Sequence, residues 1–236
     1  MYQLRGIGFI APLYFAASLF VSRKSSFFVL PGREVPAGKF IMPALVLGYM
    51  VPTALLFFPF KDSGIHQRII AAWQPAPVLV SAFTYLLAKT HGVTKKLDGH
   101  SQSTLEGDIF HLRTTYQVTG VIAACMHLVV MIGCLISPDI SLTELFIPGD
   151  SFAQVETLAD GVFIFFQNDF LLVTAASLIW SLVNVADIYR SGLSNVHWQL
   201  ALGYMLAGFV TIGPGATTAA LWYWREEAMS RRKTVE

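Results

Sequence analysis

Six stretches of this chain, residues 4–22, 40–60, 66–88, 116–137, 162–187 and 197–224, are apolar almost without interruption. Each approaches or exceeds the ~20 residues that a helix needs to cross a ~30 Å hydrocarbon core. Inside lipid every backbone N–H and C=O must find a partner within the protein, and a continuous apolar run does so as a helix. The expected fold is therefore all-α, a polytopic transmembrane helical bundle of six or seven spans. Composition agrees: 13% of residues are charged, against ~25% in an ordinary soluble domain. No internal repeat or linker interrupts residues 1–236, so a single helical domain is expected.

The net charge of +1 and the lack of a basic groove argue against a nucleic-acid partner. Cys125 and Cys134 fall in one predicted helix, ~13 Å apart along its axis, too far to bridge. The first run follows Arg5 but has no small-residue cleavage site, and Ser22-Arg23-Lys24 closes it, so it reads as a retained anchor.

Charge gives a conflicting orientation. The connection 138–161 holds five acids (Asp139, Glu144, Asp150, Glu156, Asp160) and no Lys or Arg, which places it away from the cytosol. With six spans, however, the basic tail Arg231-Arg232-Lys233 falls on that same side. The two sides then carry nine and seven basic residues, counted from the sequence.

Prolines and glycines interrupt several runs: Pro43 and Pro52, Pro75 and Pro77, and Gly213-Pro214-Gly215. Each proline frees a carbonyl that must be satisfied elsewhere, either along a cavity or in an ordinary packed kink. Trp222-Tyr223-Trp224 ahead of Arg225 reads as an interfacial aromatic belt.

The least expected side chain is Asp169, in "FQNDF" (166–170). A carboxylate at the bilayer centre costs ~3 kcal/mol on insertion scales. If the helix starts near Asp160, Asp169 lies ~13 Å along it, beyond the first turn where a carboxylate can act on its own helix terminus. It is either bonded to another helix or functional. At 100° per residue, Val173, Ala176, Trp180, Asn184 and Asp187 share its face. Asp187 lies ~27 Å away, too far for a carboxylate pair, and suits an ion pair with Arg190.

Other polar residues cluster on helical faces. Gln67 and Gln74 share one, with Trp73 beside it; Tyr116, Gly120, Ala123 and His127 share another. Each also has a bland reading, a glutamine bonded to freed carbonyls or a histidine packed in a core. No metal-ligand spacing, GxSxG elbow, Walker loop or GxGxxG turn appears. Buried acids beside aromatic walls suit general-acid activation of a lipophilic substrate. Burial favours the protonated carboxyl, and ring faces stabilise a developing cation.

The segments "RGIGFIAPLYF" (5–15), "PALVLGYMVPT" (43–53), "AAWQPAPV" (71–78), "FFQNDFLL" (165–172), Trp180, "DIYRSG" (187–192) and "GPGATTAALWYWREE" (213–227) occur in that order. Together they resemble a family of fungal integral-membrane enzymes from secondary-metabolite clusters. It includes the ascofuranone-type terpene cyclases and the hydrolases of aurovertin- and citreoviridin-type pathways. The resemblance implies acid-catalysed opening of an epoxide on a polyene polyketide or meroterpenoid, in the endoplasmic-reticulum membrane and without a cofactor. The Trp-Glu pair of pyripyropene-type cyclases is absent, so their acid pair is not carried over.

On this reading Asp169 is the expected general acid, supported by Asn168 and Gln167. Gln74 or His127 orients the attacking oxygen, and Gln67, Trp73, Tyr116 and Trp180 shape the substrate site. The partners expected are a lipophilic epoxide and the bilayer. The rival reading is a metabolite transporter or a membrane scaffold subunit of a biosynthetic cluster.

Overall fold

A computed structural model describes residues 6–22, 38–91, 102–137, 141–149 and 155–230, with the side chains of 102–108 excepted. Arg5, Arg23, Lys24, His100, Asp139, Asp150 and the tail 231–236 lie outside these residues. The described chain is helical, without strands. It divides into two compact units, one of residues 1–30 and 116–236, the other of residues 31–115.

In the second unit, α2 (Gly38–Leu45) runs through a π-helical turn, Val46–Met50, into α3 (Val51–Leu56). Pro52 offers no N–H to the carbonyl four residues back, and the wider turn relieves the ring clash. Gly48 lies in that turn, and a Cβ there would stand 2.8 Å from the Val80 nitrogen, so glycine permits backbone-to-backbone contact. The helices α4 (Ser63–Trp73) and α5 (Ala76–Thr90) are bent by 59° at Gln74-Pro75.

The long helix α6 (Gln102–Ile136) passes from the second unit to the first at Tyr116. The first unit also holds α1 (Ile7–Ser22), a short α7 (Leu142–Phe146), α8 (Leu158–Arg190), α9 (Trp198–Thr211) and α10 (Pro214–Ser230). A capping box starts α8: Thr157 Oγ1 accepts from the Asp160 amide at 3.2 Å, and Asp160 accepts from the Thr157 amide at 2.9 Å.

Among the described residues, three helical stretches are long and apolar enough to cross a membrane: Gly38–Leu56, Ile109–Ile136 and Leu158–Arg190. The bent α4–α5 pair makes a fourth if it is one span. The remaining two apolar runs form shorter helices. α1 has 16 residues. The run 197–224 is two helices that turn back on each other, because Gly213 takes φ +87° and ends α9. The fold-back is direct: a Cβ on Gly208 would meet Thr217 Oγ1 at 2.7 Å, although nine positions along one straight helix span ~13 Å.

Candidate functional site

The face of α8 that carries Asp169 and Trp180 is covered by α1. Asp169 Oδ1 accepts from the Gly8 amide at 2.6 Å and Oδ2 from the Ile7 amide at 3.1 Å. The first amides of a helix have no partner within it, so a carboxylate from another helix satisfies them and meets the positive end of the dipole. Gly6, at φ +82°, and Gly8 make room for this contact. A Cβ on Gly6 would collide with Asp169 Oδ1, and one on Gly8 would lie 2.6 Å from the Asp169 carbonyl oxygen.

Farther along, the Trp180 ring stacks on Phe15 with centroids 4.4 Å apart, and Trp222 packs against Trp180 at 4.3 Å. Trp180 Nε1 donates to Ser18 Oγ at 2.8 Å. The Arg225 guanidinium lies over the Trp222 ring at 5.1 Å and pairs with Glu226 at 3.1 Å, both side chains being buried. Trp222, expected in an interfacial belt, is half-buried between Trp180 and Arg225. Asp187 and Arg190 do pair, at 3.6 Å.

An adjoining face of α8 opens onto a cleft of about 390 Å³ lined by Met126, His127 and Val130 of α6, Leu145 and Phe146 of α7, and Phe163, Phe166, Gln167 and Phe170 of α8. Gln167 is buried, and its Nε2 donates to the Glu144 carbonyl at 2.7 Å and more weakly to that of Leu145 at 3.4 Å. Two carbonyl partners fix the amide orientation, since only the nitrogen can donate to them. Gln167 thereby ties α7 over the cleft and leaves Oε1 as an acceptor.

The His127 ring is held from the other side by the α9–α10 turn. Its Nε2 stands 3.1 Å from the Val210 carbonyl, in the last turn of α9, where carbonyls lack helical partners. A carbonyl only accepts, so Nε2 carries the proton and Nδ1 is the nitrogen left for chemistry. A Cβ at Gly213 would stand 2.7 Å from His127 Cγ and 2.9 Å from Nδ1, so only a glycine fits against that edge of the ring.

The structure thus brings together two of the expected site residues, His127 and Gln167. Asn168 donates to the Ile164 carbonyl of its own helix at 2.8 Å. Tyr116 lines a separate pocket of about 370 Å³ with Gly120, Ala216 and Tyr223. Gln67, Trp73 and Gln74 belong to the second unit; both glutamines are exposed, and Trp73 Nε1 donates to Thr53 Oγ1 at 2.9 Å. Among the described residues no three His, Cys, Asp or Glu side chains stand close enough to hold a metal ion.

The CtvD domain profile matches residues 1–230. The chain belongs to the CtvD domain family. Its relatives include the terpene cyclase resF of Aspergillus sclerotiorum, 30% identical over 229 residues that cover 95% of this chain and 61% of that protein. The terpene cyclase rstn5 of Aspergillus nomiae is 30% identical over 213 residues, covering 86% of this chain and 55% of that protein. A more distant relative is the FAD-dependent monooxygenase verC1 of Penicillium polonicum, 23% identical over 236 residues, 98% of this chain and 28% of that protein. The chain therefore spans less than two thirds of each of these relatives' lengths. No solved structure matches it.

Several of the segments quoted above for the resemblance are structural partners of one another. "GIGF" (6–9) and "FFQNDF" meet where Asp169 holds the first amides of α1, and "GPGA" supplies the turn against His127. Sequence reasoning missed the phenylalanine wall of this CtvD chain, although Phe163, Phe166 and Phe170 recur at helical spacing around Gln167.

Proposed function

We propose that this chain is a membrane-embedded enzyme of fungal secondary metabolism that opens an epoxide on a lipophilic polyketide or meroterpenoid, closing a ring or adding water. The observation that carries the reading is the cleft in which four phenylalanines surround one imidazole and one amide. Its volume falls within the ~300–1,000 Å³ range of small-molecule sites. The terpene-cyclase relatives support cyclisation. The apolar helices support a polytopic placement with all six apolar runs at least partly immersed, and the family resemblance suggests the endoplasmic-reticulum membrane.

In this reading the proton donor is His127. Held by Val210 at Nε2, the protonated ring presents Nδ1–H to the epoxide oxygen. As the proton transfers, the C–O bond breaks and positive charge develops on carbon. The faces of Phe146, Phe163, Phe166 and Phe170 stabilise that charge, an effect worth ~0.5–2 kcal/mol per well-placed ring. An alkene, an internal hydroxyl or water then attacks, Gln167 Oε1 accepts a hydrogen bond from an attacking hydroxyl, and the proton lost from that hydroxyl, or from the carbon skeleton after alkene attack, returns to His127 Nδ1. Asp169 keeps the anchoring task that its two bonds to α1 describe.

The test is to feed a purified epoxy-polyene or epoxy-prenyl phenol to microsomes expressing this chain alone, in ¹⁸O-labelled water. Consumption of the epoxide is expected, with label in the product for hydrolysis and none for cyclisation. His127→Gln should lower kcat by ~10²-fold or more, the usual worth of a general acid. An epoxide returned unchanged by membranes holding the folded chain overturns the reading in favour of a carrier or scaffold.

A further inference from the structure

The α9–α10 pair has a geometry that bears on how the first unit meets a membrane. The pocket between the two helices is lined by Ala201, Tyr204, Met205 and Gly208 from one and Thr217, Ala220, Leu221 and Trp224 from the other. Positions rise on one helix as they fall on the other, so the pair is an antiparallel hairpin. Its tip, at Gly213, rests on His127. Its base, at Ala201 and Trp224, shares the same pocket with Val185 and Val196, toward the Arg190 end of α8. From Trp224 to Gly213 the hairpin is ~17 Å deep, about half of a hydrocarbon core. Arg225, Glu226 and Glu227 follow at once, so no apolar length remains on α10 to complete a crossing.

We infer that α9 and α10 form a re-entrant hairpin that enters and leaves through one leaflet, and that this leaflet is the cytosolic one. The inference rests on the membrane placement proposed above. Its sidedness follows from the basic residues. Arg190 and Arg225 stand at the base of the hairpin, with Arg231, Arg232 and Lys233 next in sequence. The opposite end of α8 begins at Leu158, and residues 138–161 hold five acids and no Lys or Arg. A single span over 197–224 puts the basic tail beside that acidic segment; the hairpin puts it on the other side. The conflict with the positive-inside rule then disappears.

N-glycosylation reads the sidedness without background, since none of Asn168, Asn184 and Asn195 opens an Asn-x-Ser/Thr acceptor. A spaced acceptor is inserted after Pro148 in one variant, after Gly192 in a second, and at the C-terminus in a third, each expressed with microsomes. The Pro148 variant should gain a glycan while the other two stay unmodified, all three remaining in carbonate-washed membranes. On the chain without insertions, protease added to sealed microsomes should remove a C-terminal epitope. A glycan on the C-terminal variant, or a protected epitope, overturns the re-entrant hairpin on the cytosolic side. A glycan on the Gly192 variant, or none on the Pro148 variant, overturns the sidedness. Release by carbonate overturns the membrane placement itself, and the inference with it.

Discussion

Asp169 and Gly8, 161 residues apart in sequence, are joined by a 2.6 Å hydrogen bond from the Gly8 amide to the Asp169 carboxylate. The same carboxylate receives the Ile7 amide, so one side chain on α8 closes the start of α1. Its place in an apolar run follows from a helix that begins against the middle of another.

Asp169→Asn leaves a single side-chain oxygen for two amides and turns an NH₂ toward the other. The expected cost is roughly 1–2 kcal/mol, read as a lower thermal midpoint of the detergent-solubilised protein, with turnover per folded molecule unchanged. Turnover abolished at unchanged stability would make Asp169 the proton donor instead of His127.

Gly213→Ala puts a methyl group onto the His127 ring at a backbone angle of +87° that alanine resists. The left-handed conformation alone costs about 1–2 kcal/mol. Displacement of the ring should also reduce epoxide turnover far more than it reduces the amount of folded protein. Gly203→Ala, where an added Cβ meets nothing within 4 Å, is the control. It should keep full activity and gain up to ~1 kcal/mol in helix stability.

Phe166→Leu and Phe170→Leu keep the cleft apolar while removing a ring face. If those faces stabilise a cation in the transition state, kcat falls by roughly 3–30-fold per ring while KM moves little. A change confined to KM would mean that the rings only bind substrate.

Trp180→Phe keeps a ring against Phe15 but loses the bond to Ser18. A cost of about 1 kcal/mol is expected, and Ser18→Ala should cost a similar amount. The double variant should cost less than the sum, because both changes remove one interaction. Thermal melts of the four forms provide the cycle.

Much of this arrangement is legible along single helices. The end of α6, both ends of α8 to within a few residues, and the interruptions at Pro75 and Gly213 follow from hydropathy, proline chemistry and glycine's freedom at positive φ, whereas α6 begins at Gln102, well ahead of the apolar run at 116. The shared face of Asp169 and Trp180 is also real, since both meet α1. What that face touches was not legible. An apolar stripe with one carboxylate looks the same whether it borders a cavity or another helix. The cleft, in turn, lies on the Gln167 side, whose phenylalanines look like lipid-facing residues when taken one helix at a time.

The sequence by itself determined that the chain is helical, where most helices start and stop, and which family it belongs to, because backbone satisfaction in apolar surroundings and local steric preferences act within a few residues. Only the tertiary structure decided that Asp169 closes α1, that His127 and Gln167 share one cleft, and that residues 198–230 double back instead of continuing. Those outcomes depend on which helix faces pack together. That pairing is set by the close approaches at Gly6, Gly8, Gly208 and Gly213, between residues far apart in sequence or across a turn.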